Sequence, residues 1–146
     1  MMYQINNQSQ YPEHLTAPMA AELEDNGFVS LKSPEAVTET LGAEEGTVFV
    51  IVNSVCGCAA RNARPAAVMA TREGKVPSKM VTVFAGVDSG AVQMARDFML
   101  PYPPSSPSMA LFKDGKLVHF IERHNIEGRD AMSIAQNLKM AFEQYC

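Results

Sequence analysis

Apolar positions along this chain switch between a helical and a strand-like spacing, and the switches divide it into alternating elements. Leu15, Met19 and Leu23 recur at helical spacing and stop at Asn26-Gly27, which predicts a first helix with a glycine end; Pro18 inside it leaves its start open. Phe28 to Leu31 reads as a short edge strand. Ser33-Pro34-Glu35 supplies a capping hydroxyl, a proline at the first helical position and an early acid, followed by Val37, Leu41 and a stop at Gly42. Thr47 to Val52 is continuously apolar and β-branched, the pattern of a central parallel strand covered on both faces.

Cys56 to Thr71 is rich in alanine, and Ala59, Ala63, Ala66, Ala67 and Ala70 offer a small-residue surface on which a helix can lie close to a sheet. Pro65 is expected to kink that helix, because it lacks a donor and crowds the carbonyl four residues earlier. Val81 to Ala85 reads as a second buried strand, and Asp88 or Ser89 as the cap of a helix through Val92, Ala95 and Phe98. A polar, proline-rich loop from Pro101 to Pro107 leads into Ser108 to Phe112, and Asp114-Gly115 marks a hairpin with Leu117 to Ile121 as the returning strand. Ile134, Leu138, Ala141, Phe142 and Tyr145 complete a terminal amphipathic helix. The alternation predicts an α/β fold, a mixed sheet between helical layers.

The chain's 146 residues and 47% apolar content suit one domain, expected over 11–146, with 1–10 as a separate N-terminal segment outside the fold. No apolar run approaches the ~18 residues that span a bilayer, and the polar start lacks the blocks of a secretory signal, so a cytoplasmic protein with no membrane partner is expected. Twelve basic against sixteen acidic residues give a net charge of −4, and the basic ones are scattered, which argues against nucleic acid. Three cysteines make no disulfide framework; in a reducing compartment a close pair points to catalysis or metal. The ten methionines read as adaptable core filler.

Cys56-Gly57-Cys58 carries the chemistry, since it leaves the end of a buried strand and enters a helix. Only a thiolate attacks disulfides, and an ordinary thiol is mostly protonated near neutrality, so the fold must favour the anion. Unpaired amides and the positive end of the dipole at a helix start do that, and Cys56 is placed to use both. Cys56, expected to be the more exposed sulfur, is read as the nucleophile and Cys58 as the resolving thiol. Gly57 is expected to permit the backbone angles needed to join sulfurs one residue apart, in a small strained ring that is easily reduced. Arg61 and Arg64 are read as two solvated arginines on one helix face. A zinc site completed by His119, His124 or Cys146 is the competing reading, disfavoured because no second close pair exists; no metal or other cofactor is expected.

The runs VNSVCGCAARNARPA and PPSSPSMALFKDGKLVHFIERHNIEG closely resemble the bacilliredoxins, and the similarity extends from about Leu15 to Cys146. The resemblance implies a thioredoxin-like three-layer sandwich, a central mixed sheet flanked by helices, with an N-terminal helical extension. It implies that Cys56 attacks a mixed disulfide between a client protein and a low-molecular-weight thiol, bacillithiol or an analogue, that the small thiol moves to Cys56, and that Cys58 or another thiol resolves it. Disulfide isomerase activity is the related alternative. Pro107 resembles the proline that precedes a strand in the cis form opposite the cysteines, with Gly57, Ser106 and Ser108 around the same substrate groove. Cys146 ends the chain as an auxiliary thiol that would accept the disulfide or pair between subunits, unless it is simply free at a frayed end. Arg61 stands where many members carry a small residue. His119 and His124 are read as exposed or hydrogen-bonded, and Glu122-Arg123 with Glu127 to Arg129 as surface charge. A thioredoxin-like module that holds a metal or partner without turnover is the reading from a different class.

Overall fold

Every strand that the apolar pattern predicts is present, and the sheet is mixed. The structure, a computed structural model, describes residues 9–146, so the expected separate segment 1–10 lies, except for its last two residues, outside the described residues. Gln10 N–H donates to the Gly86 carbonyl at 2.7 Å, and Gly86, at φ +84°, has no room for a side chain because a Cβ would come within 2.6 Å of the Tyr11 ring.

The elements in chain order are α1 (Glu13–Glu24), β1 (Val29–Ser30), α2 (Pro34–Leu41), β2 (Thr47–Asn53), a π-helical turn (Ala59–Ala63), α3 (Arg64–Ala70), β3 (Lys79–Phe84), α4 (Ser89–Phe98), β4 (Ser108–Lys113), β5 (Lys116–Ile121), α5 (Arg123–Ile126) and α6 (Ala131–Tyr145). The sheet order is β1-β3-β2-β4-β5, with β1, β3 and β2 parallel and β4 antiparallel to both β2 and β5. Ser33 caps α2 as expected, its hydroxyl accepting from Ala36 N–H at 3.1 Å. Asp114 and Gly115, both at positive φ, turn the β4–β5 hairpin.

All seven residues of β2 are buried, which is why the strand reads as an unbroken apolar run. Its side chains nevertheless alternate between two cores. Phe49 and Ile51 join Leu23, Ala63, Ala66, Ala70, Ile134 and Phe142 under α1, α3 and α6. Val48, Val50 and Val52 join Val37, Leu41, Val81, Val92 and Ala95 under α2 and α4. The result is helices, sheet, helices. In the first core the Phe49 ring meets Phe28 at 6.0 Å and Phe142 at 5.3 Å, edge to face; full burial of Phe142 alone is worth about 1.5–3 kcal/mol.

Three details depart from the pattern. Leu15 faces solvent, and Thr16 with Leu23 forms the buried side of α1, so the helix that the spacing predicts is present but its buried face begins one residue later. The kink expected at Pro65 takes the form of the π-turn before it, in which Arg64 N–H reaches five residues back to the Ala59 carbonyl. Widening the helix there re-pairs the backbone just ahead of a residue without a donor. The four-residue α5 was not foreseen, and it matters for the site.

Candidate active site

Strand β2 ends at Asn53, which is buried, and the chain turns through Ser54 and Val55 to bring Cys56 to the end of the sheet, with Gly57 and Cys58 already helical. Cys56 N–H donates to the Ser54 hydroxyl oxygen at 3.1 Å, and the Cys56 carbonyl accepts from Ala59 N–H at 3.1 Å, so the first turn is fixed from both sides. Both cysteines are free and half-buried, so neither is the clearly more exposed sulfur. Gly57 does not adopt the left-handed conformation. What its missing side chain leaves room for is Arg61, whose Nη2 would lie 3.0 Å from a Cβ.

The two thiols are displaced in opposite directions. Burial pushes the Cys56 thiol up, but hydrogen bonds from the Cys58 thiol and the Ser54 hydroxyl, then from the Ala59 and Cys58 amides, outweigh it and hold Cys56 below the ordinary value of 9.0. Cys58 is pushed above the same value by burial, by its hydrogen bond to Cys56 and by the charge of Cys56, with Arg123 pulling the other way. One sulfur is favoured as the anion and its neighbour as the proton donor beside it.

Behind the turn lies a buried polar network that contradicts the reading of Arg64 as solvated. Arg64 is 3% exposed; its Nε donates to Glu22 Oε1 at 2.8 Å and its Nη1 to Asn53 Oδ1 at 2.9 Å and the Ser54 carbonyl at 3.1 Å. Asn53 Oδ1 also accepts from Ser54 N–H at 2.9 Å, and Asn53 Nδ2 donates to the Met19 carbonyl at 3.2 Å. A buried guanidinium is tolerated because three acceptors meet it, one of them a carboxylate oxygen. The network ties α1 to the residues that carry the Ser54 hydroxyl. Arg61 is exposed as expected.

The loop opposite the cysteines is only partly what the resemblance implies. The Ser106–Pro107 bond is cis and Pro107 is buried. Ser106 is partly exposed, and its carbonyl accepts from Arg123 Nη1 at 3.2 Å. Ser108 does not line a groove: it is 1% exposed and its hydroxyl donates to the Ser105 carbonyl at 2.9 Å, because it is already the first buried residue of β4 and pairs with Val52. Arg123, read as surface charge, belongs to the site instead. Its N–H donates to Ser105 Oγ at 3.3 Å, its Nε lies 3.3 Å from Glu127 Oε2, and its charge acts on Cys58 and Cys56, which in turn hold the guanidinium above its ordinary range. Asn62 Nδ2 donates to the Ile126 carbonyl at 3.3 Å and so joins α5 to the cysteine-bearing helix.

Other candidates lie apart. His119 Nε2 is 2.7 Å from Asn137 Oδ1, and His124 is exposed, 3.7 Å from Glu122 Oε2. Cys146 is exposed in the last turn of α6, where neighbouring Glu143 reaches Lys75 in the loop after α3, at the opposite end of that helix from Cys56. The structure does not bring Cys146 to the pair. Among the described residues no three His, Cys, Asp or Glu side chains are grouped so that they could hold a metal.

Residues 11–146 match the model of a family described as disulphide isomerase. Over 134 residues the chain is 55% identical to a bacilliredoxin of Cytophaga hutchinsonii, covering 92% of this chain and 98% of that one. The chain belongs to the bacilliredoxin family. A bacilliredoxin of Halalkalibacterium halodurans is 47% identical over 136 residues, 93% of this chain and 94% of the relative. In three dimensions the chain is similar to the oxidised thioredoxin O2 of Arabidopsis thaliana, with a TM-score of 0.55 at 19% identity over 84% of this chain and 97% of that one. It is similar also to a thioredoxin of Malassezia sympodialis, with a TM-score of 0.56 at 16% identity over 81% and 90%. The fold is thioredoxin-like, the three layers that the resemblance implied, and this bacilliredoxin-family chain is a thiol-disulfide oxidoreductase.

Proposed function

We propose that the protein removes low-molecular-weight thiols, bacillithiol or an analogue, from S-thiolated client proteins, with Cys56 as nucleophile and Cys58 as resolving thiol. The observation that carries this reading is the asymmetry of the pair: Cys56 collects the Ser54 hydroxyl and two amides, and Cys58 is its proton donor. Cys56 thiolate attacks the small-thiol sulfur of the mixed disulfide. A Cys56–small-thiol disulfide forms, the sulfur–sulfur bond between the small thiol and the client cysteine breaks, and the client leaves as a thiolate that takes up a proton. Cys58, losing its proton, then attacks Cys56 Sγ and releases the small thiol, so the client is reduced by two electrons and the cysteine pair oxidised by two. Two further equivalents of low-molecular-weight thiol reduce the pair for the next cycle and leave joined as their own disulfide. Gly57, Ser106 and Pro107 are assigned to the groove that receives the client, and the cysteine pair serves without a metal or other cofactor. The folded unit is 11–146, and we place the protein in the cytoplasm; no helix among the described residues is long and apolar enough to cross a membrane.

Mass spectrometry after incubation with a protein carrying a defined thiol adduct tests the assignment. Cys58→Ser should accumulate the adduct on Cys56, and Cys56→Ser should acquire none; the reverse pattern overturns it. The matched family description favours a second reading, disulfide isomerisation by the same attack. Faster reactivation of a protein with scrambled disulfides than removal of an adduct would select it.

A further inference from the structure

We propose that Arg61 and Arg123 form a cationic rim that selects for small thiols bearing carboxylates. The inference rests on the reading above in taking a small-thiol adduct as the substrate, and it adds what that thiol must carry.

The chain as a whole is acidic, with a net charge of −4, yet two guanidinium groups reach the Cys56–Cys58 turn from separate elements. Arg61 comes from the π-turn and lies over Gly57, where a Cβ would be 3.0 Å from Nη2, 3.1 Å from Nη1 and 3.2 Å from Cζ. The glycine, which lies between the two cysteines in sequence, thus acts as a seat for the guanidinium. Arg61 is exposed and makes no ion pair or hydrogen bond among the described residues. Arg123 comes from α5 on the side of the Ser105–Ser106 loop, with a side chain 43% exposed. Its Nη1 is taken by the Ser106 carbonyl and its Nε by Glu127, while Nη2 has no partner among the described residues. Of the nearby acids, Glu127 is engaged with Arg123, and Glu122 caps α5 beside His124.

An adduct whose sulfur is in line with Cys56 Sγ brings the groups a few bonds from that sulfur onto this rim. A guanidinium presents paired donors that match a carboxylate, and an unpaired Arg61 needs no internal partner displaced before it can bind one. An ammonium at the same place meets two like charges. Selection therefore follows from what stands next to the thiolate, independently of how reactive the thiolate is.

Alkylation of Cys56 with iodoacetate and with iodoacetamide tests the rim directly, because both reagents form the same sulfur–carbon bond and expel iodide. Their rate ratio cancels any change in nucleophilicity. Arg61→Gln and Arg123→Gln should each lower the iodoacetate-to-iodoacetamide ratio by about threefold, as expected for half-exposed charge pairs, and the double variant should lower it further. Arg123→Lys should retain most of the ratio. In the second arm, a client modified with glutathione, which carries carboxylates, should be restored faster than the same client modified with cysteamine, and the two Gln variants should narrow the gap. A ratio equal in all the proteins overturns the rim, and adduct removal at equal rates by all of them would then leave the enzymatic reading standing. If the ratio responds but neither adduct is removed, the rim stands as an anion site and the enzymatic reading falls.

Discussion

Arg61 and Arg64 stand one turn apart on the same helix and have opposite fates. Arg64 is buried behind the cysteine turn, with Glu22, Asn53 and the Ser54 carbonyl around it. Arg61 lies in front of the turn, over Gly57, with no internal partner among the described residues. The rear wall spends its hydrogen-bonding capacity on the protein and so fixes the Ser54 hydroxyl beneath Cys56. The rim keeps its capacity for whatever approaches the sulfur. A thiolate site needs both, since one sets where the sulfur is held and the other what it meets.

Breaking the rear wall should have the largest effect. Arg64→Met removes the donor from the buried Asn53 Oδ1 and Ser54 carbonyl, and should lower stability by about 2–3 kcal/mol in urea unfolding. Glu22→Gln should cost well under half of that, because Glu22 is 38% exposed and water replaces much of what the pair supplies. Equal losses from the two substitutions would show that the ion pair, and not the hydrogen bonds to the turn, holds the wall.

The comparison sharpens at the thiols themselves. Ser54→Ala should move the Cys56 ionisation up towards 9.0 by removing a hydroxyl donor, and Cys56→Ser should let Cys58 fall back towards the same value by removing the charge and hydrogen bond that raise it. Rates of alkylation against pH read both. A depressed Cys56 contributes stability above its unfolded value that is lost as pH falls through the folded value, whereas a raised Cys58 contributes stability below its unfolded value that is lost as pH rises through the folded one. The two windows lie on opposite sides of 9.0, so Cys56 should make unfolding free energy rise with pH up to 9.0 and Cys58 should make it fall above 9.0.

Much of this arrangement is legible in the residues. The apolar run of β2, the Ser33-Pro34 cap and the Asp114-Gly115 hairpin are local signals, and each marks its element. The cysteines after β2 were legible for the same reason, since a buried strand leading into an alanine-rich helix fixes where the sulfurs emerge. Arg64 was not, because its carboxylate partner is 42 positions away on α1 and nothing local distinguishes it from Arg61. Arg123 was hidden similarly: its place depends on α5 folding back against the Ser105–Ser106 loop, 17 and 18 positions earlier. The burial of Ser108 has a local signal. Strand alternation from Met109, which enters the core under α3 and α6, already requires its neighbours to point the other way into the second core.

A smaller effect separates rim from wall in the same experiment. Arg61→Gln should leave unfolding free energy within about 0.5 kcal/mol, since an exposed side chain without an internal partner has little to lose. A loss comparable to that of Arg64→Met would mean that Arg61 is part of the wall.

The smallest effect is expected at the third sulfur. Cys146 N–H donates to the Phe142 carbonyl at 2.8 Å, so it stays in register with the last turn of α6, and Phe142 packs on Phe49 near the start of β2. Cys56 follows the other end of that strand. Between them runs the helical stretch from Cys58 to Ala70, which at ~1.5 Å per residue separates the two ends by roughly 18 Å. Disulfide exchange requires sulfurs in contact, and no shift of an exposed side chain crosses that distance. Cys146→Ser should therefore reproduce the Cys56 alkylation rate and the adduct-removal rate of the unaltered protein. A slower second step in that variant would require α6 to leave the Phe49 core during turnover, and protection of the Phe142 amide from hydrogen exchange would then have to fall as adduct is added.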